Sequence, residues 1–95
     1  MDAKQITDAC ERLRAAWEEL SNAGCYCLQD EYGKPSLMMR PKNLHETFPA
    51  EVKAVEATQW PGPGGWPLQR IIEVGGCTVC ALYSHEEVAR FEEAS

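Results

Sequence analysis

Apolar residues return at three- and four-residue intervals through the first quarter of the chain: Ile6, Ala9, Cys10, Leu13, Ala16, Trp17 and Leu20. Lys4, Glu11, Arg12, Arg14, Glu18 and Glu19 fill the positions between, so the pattern predicts an amphipathic helix from about Ala3 to Asn22. Gly24 is placed to end it by taking the left-handed conformation past the last turn. Two heptads are too short for an independent coiled coil, so the stripe is expected to pack on a sheet of the same domain.

The period changes further on. Leu68–Val74 and Cys77–Tyr83 are β-rich runs separated by Gly75-Gly76, a pair able to adopt the positive φ angles of a tight hairpin. The register then sets Val74 opposite Cys77, Ile72 opposite Val79, Arg70 opposite Ala81 and Leu68 opposite Tyr83. One side of this hairpin is apolar apart from Arg70, while Ile71, Cys80 and Leu82 fall on the other. A second hairpin is expected from Cys25–Gln29 and Ser36–Arg40, with Asp30 to Pro35 as its turn. Pro35 and Pro41 bracket the second strand, which predicts a short strand at an edge.

Between the hairpins the pattern is weaker. Arg40 to Glu46, including His45, reads as a polar connection, and residues 49–60 read as a short helix led by Pro49, with a strand from Glu51 to Trp60 as the other assignment. Trp60-Pro61-Gly62-Pro63-Gly64-Gly65-Trp66-Pro67 excludes regular structure and sets Trp60 and Trp66 at the ends of a loop. Such tryptophans either fold back over the core or serve as recognition groups. The last element is announced by Ser84-His85-Glu86-Glu87, a capping box opening a helix that runs to Glu93. The order of elements predicts one α+β domain over residues 1–95. Its expected sheet is antiparallel, about four strands in two hairpins, with the terminal helices mainly on one face.

Composition narrows the chemistry. Lys plus Arg number 9 against 15 Asp plus Glu, a net charge of -6 that disfavours direct binding to nucleic acid. No run is apolar enough to span a membrane. Met1 is followed at once by Asp2 and Lys4 with no secretory core, so the expected compartment is the cytoplasm.

Five cysteines raise metal, disulfide and redox chemistry in turn. An odd count in a reducing compartment argues against disulfides. A redox Cys-x-x-Cys belongs at the start of a helix, whereas Cys77 and Cys80 sit in a strand, on opposite faces. The expected cofactor set is therefore empty, with zinc held by Cys25, Cys27, Cys77 and Cys80 as the alternative, should Gly75-Gly76 form a metal-binding turn.

Neither His45 nor His85 is fixed beside a nucleophile, and Gly64-Gly65 leads into Pro67 and a strand rather than a phosphate-binding helix. The chain is thus expected to be no enzyme. The expected function is a small acidic protein-interaction module, an inhibitor or adaptor of the kind found among phage and mobile-element accessory proteins, acting on a protein partner or on itself. Trp60, Trp66, Ile71, Cys80 and Leu82 are the candidate partner-binding residues. A further alternative is an acidic nucleic-acid mimic that blocks a basic groove.

Overall fold

A computed structural model describes residues 2–60, 62 and 65–93, the side chain of Glu93 excepted. Pro61, Pro63 and Gly64 of the tryptophan loop lie outside the described residues. The first helix, α1, spans Ala3–Asn22, the range that its periodicity predicts. Asp2 caps it: its carboxylate accepts from the Gln5 amide at 2.8 Å, and the Gln5 side chain accepts from the Asp2 amide at 3.0 Å. Gly24 follows the last turn at φ 105°, a conformation that favours glycine, with the Asn43 side chain packed close against it.

The first hairpin pairs β1 (Cys25–Glu31) with β2 (Lys34–Met39). Its turn is shorter than expected: Tyr32 and Gly33 take φ 55° and 81°, and Asp30 opposite Pro35 already belongs to the ladder. The second hairpin, β4 (Leu68–Val74) and β5 (Cys77–Tyr83), has the expected register from Val74↔Cys77 to Leu68↔Tyr83. Gly75 and Gly76 stand at φ 58° and 82° between them.

The sheet differs from the expected antiparallel one of four strands. It has five strands in the order β1-β2-β5-β4-β3 and is mixed, because β2 runs parallel to β5 (Leu37↔Val79, Met38↔Cys80). Here β3 is Thr58–Gln59, held on β4 where the tryptophan loop turns back and the Trp60 amide donates to the Pro67 carbonyl at 2.7 Å. β2 therefore lies inside the sheet and not at its edge. Pro35 is tolerated there because the β2–β5 ladder starts only at Ser36, beyond the missing amide.

The crossover from β2 to β5 carries two short helices. α2 (Pro41–Thr47) occupies the stretch expected as a polar connection; Pro41 preorganises its first turn and Leu44 drives into the core. α3 (Pro49–Lys53) begins at the predicted proline but stops after five residues, and the chain extends into β3, so residues 49–60 hold both a helix and a strand. The last helix, α4 (His85–Glu93), starts with the expected box: the Glu87 amide donates to Ser84 Oγ at 3.1 Å and the Ser84 amide to the Glu87 carboxylate at 3.0 Å.

The core lies on one face of the sheet, where Cys25, Leu37, Met39, Ile72, Val79, Ala81 and Tyr83 meet Leu44 and Val52, with Val88 and Phe91 of α4 against them. α1 reaches this core only through Trp17 and Leu20. The expectation that its whole stripe packs on the sheet fails: no residue of α1 is buried, and Ile6 and Leu13 remain 50% and 57% exposed. A 20-residue helix is about 30 Å long and a seven-residue strand about 23 Å, so α1 outruns the strand that it accompanies. No helix among the described residues is long and apolar enough to cross a membrane.

Candidate functional site

The strand register decides what each face presents. Cys27, Met38, Cys80 and Ile71 stand side by side across β1, β2, β5 and β4, with Leu82 beside Gln69 one step further along. This is the face opposite the core, and the core-packing residues of α2, α3 and α4 all lie on the other side. Ile71 is 41% exposed, whereas Cys80 is enclosed by its strand neighbours. Burial, with a smaller contribution from the Glu31 charge, pushes the Cys80 thiol up to about 11, and burial also raises that of Cys25. Both remain protonated at neutral pH and are poor nucleophiles.

The same register divides the four cysteines of the zinc alternative. Cys77 and Cys80 face opposite ways, as alternation along β5 requires. Cys25 and Cys27 also do so, because a bulge between them sets Cys25 opposite Met39 and Cys27 opposite Met38. All five cysteines are free, and among the described residues no group of three or more His, Cys, Asp or Glu side chains is arranged around a common centre.

The two loop tryptophans diverge. Trp60 is half-buried, with its indole against Gly62, and borders a hollow shared with Pro67, Leu68 and His85. Trp66 is 52% exposed and borders a cleft of about 670 Å³ with Leu82 and Tyr26. That cleft lies beyond the carboxyl ends of the parallel strands β2 and β5, where the chain turns into α2 and α4. Of the expected binding residues, Trp66 and Leu82 meet here; Ile71 and Cys80 share the adjoining sheet face, and Trp60 is elsewhere.

Tyr26, Arg40, Lys42 and Arg90 also line the cleft, together with Pro41, Glu87 and Phe91, and the first four were not singled out by the sequence. The basic pair on either side of Pro41 was a visible signal, but nothing local shows that α4 returns to the same place. Arg90 makes only a long 3.9 Å pair with Glu86 on an exposed turn, and neither Arg40 nor Lys42 forms an ion pair among the described residues.

A second polar cluster sits under the helices. Arg70, expected as the one interruption of the apolar face, is 8% exposed; its Nε donates to the Val55 carbonyl at 3.1 Å. Its guanidinium lies 5.3 Å from the centre of the Tyr83 ring, and Nη2 is 3.8 Å from Glu92. His45 Nε2 is 2.7 Å from the Tyr83 hydroxyl and 3.4 Å from Arg70 Nη1, while its ring stacks on Phe91 at 4.1 Å. Since Arg70 can only donate, Nε2 is assigned as the acceptor and the Nδ1-protonated tautomer follows. Burial, aided by the Arg70 charge, lowers the His45 pKa and keeps the ring neutral. The adjoining hollow of about 510 Å³ has Val52, Val55 and Phe91 among its walls, with Lys53, Glu56 and Glu92 beside them. The contacts of the cluster itself join β4, β5, α2 and α4.

Compared with protein-family models, curated proteins and solved structures, the chain matches none.

Proposed function

We propose that this chain is a non-enzymatic protein-interaction module of the cytoplasm, an adaptor or inhibitor, that docks through the sheet face opposite its core and the adjoining cleft. One observation carries the reading: apolar residues occupy adjoining strand positions on the face opposite the core-packing residues of α2, α3 and α4, and Tyr26, Trp66 and Ile71 on or beside it stay 54%, 52% and 41% exposed. Large contiguous apolar surface is uncommon on a protein that acts alone, and aromatic residues are favoured anchors in interfaces. The exposed stripe of α1 adds to it: Cys10, Leu13 and Trp17 line a trough with Tyr26 and Leu28 of β1, so Tyr26 links the trough to the cleft.

The test separates folding from binding. The double variant Trp66→Ala, Leu82→Ser should keep the thermal transition of the parent within a few degrees. Immobilised beside the parent, it should fail to retain a partner that the parent draws from its native host, and the loss should reproduce with the purified partner at about 2 kcal/mol or more for a hot-spot tryptophan. Equal retention by both baits, or collapse of the transition in the variant, defeats the reading.

A further inference from the structure

The cleft at the ends of β2 and β5 differs in charge from the rest of the molecule. The chain carries a net charge of -6 with only 9 basic residues, yet Arg40, Lys42 and Arg90 converge on this one hollow. The only acidic side chain lining it among the described residues, Glu87, is bonded to the Ser84 amide at 3.0 Å. Between the cations lie apolar groups, with Tyr26 and Trp66 as exposed aromatic walls and Leu82 beside them. Resting on the interaction reading above, we propose that the cleft takes an acidic segment of a partner protein in which Asp or Glu side chains flank one large apolar residue.

Charge complementarity selects the sign of the ligand, and the mixed lining selects its class. An isolated phosphate or nucleotide is held by converging backbone amides, and here α2 opens with Pro41, which has none to offer. A nucleic-acid strand would extend past the cleft over a surface with excess negative charge. A peptide needs only what is present: cations at the rim for its carboxylates, and an apolar floor between aromatic walls for one side chain. About 670 Å³ is room for a single large residue with its neighbours.

The probe is a set of short synthetic peptides in four versions: Glu residues around a central Leu, Gln in place of Glu, Lys in place of Glu, and Ser in place of Leu. Only the first should bind measurably by fluorescence anisotropy, and binding should fall steeply as salt approaches about 1 M, where the screening length is about 3 Å. Arg40 and Lys42 are exposed, so Arg40→Glu with Lys42→Glu should leave the circular dichroism spectrum unchanged. With each exposed charge contact worth roughly two- to fivefold, the pair should cost the Glu peptide more than about tenfold and make the Lys version the better ligand.

Equal binding of the Glu and Gln versions overturns the acidic class while leaving the interaction module standing. So does failure of every peptide when the purified partner still depends on Trp66 and Leu82. Glu-peptide binding unmoved by the charge reversal overturns the site.

Discussion

Leu13 and Leu44 are both leucines on the apolar stripes of helices, and truncating each to alanine tests whether those stripes are covered. Leu44 is fully buried, 0% exposed, among Leu37, Val79 and Tyr83 of the core cluster. Leu44→Ala should therefore cost about 2–5 kcal/mol, the sum of lost transfer energy and the cavity left behind. Leu13 is 57% exposed. Less than half of the ~1.5–3 kcal/mol available from burying a leucine can be at stake there, and alanine recovers a few tenths through helix propensity. The expected cost of Leu13→Ala is about 1 kcal/mol or less. At about 4–8 °C per kcal/mol for a domain of this size, Leu44→Ala should lower the melting temperature by at least about 8 °C, and Leu13→Ala by a few degrees. Chemical and thermal denaturation, each run over a wide range of protein concentration, decide the matter. A Leu13→Ala cost of 2 kcal/mol or more at the lowest concentration would refute the reasoning, since α1 would then be a core helix. A cost that grows with concentration would instead identify a second copy as the cover of the stripe, because association stabilises by mass action.

Ser84→Ala removes one half of the α4 capping box and should destabilise by about 1 kcal/mol in urea titration, with no effect on peptide or partner binding; an unchanged midpoint would show that α4 does not depend on this cap. His45 has its pKa lowered in the folded state, so the unfolded chain binds the extra proton more readily; the contribution is present above about pH 6.5 and is lost as pH falls through the depressed folded value. Stability should accordingly rise with pH across this window in the parent and rise less in His45→Gln, and parallel pH profiles for the two proteins would contradict the placement of His45.

What the sequence made legible was local. Gly75-Gly76 sets the β4–β5 register because a two-residue turn permits one pairing, and the ends of α1 and α4 follow from Gly24 and the Ser84 box. The parallel contact between β2 and β5 has no such marker: Leu37 and Val79 are far apart in sequence, and their runs fit an edge as well as an interior. The bulge at Tyr26 was equally hidden, since Cys-x-Cys in a regular strand would place both thiols on one face. Periodicity identified the apolar stripe of α1 but not its neighbour, and hydrophobic spacing is the same for a helix that meets its own sheet and for one that awaits a partner. Of the candidate site, Trp66 and Leu82 were visible as an aromatic on a loop and an apolar residue on the outer face. Arg40, Lys42 and Arg90 join them only through the crossover that brings α2 and α4 together.

Arg70 and the two cations on either side of Pro41 have different fates, and the contrast bears on function. Arg70, inside, is given a carbonyl, an aromatic face and a carboxylate within reach, which is what a buried charge requires. Arg40 and Lys42, at the cleft, are given no ion pair among the described residues although acids outnumber bases 15 to 9. Scarcity of partners cannot explain that. Exposed ion pairs contribute little to stability, so folding gains little from neutralising these two charges and loses little by leaving them open. Their convergence on an aromatic cleft is therefore not demanded by the fold, and it leaves both charges open to the acidic segment proposed above.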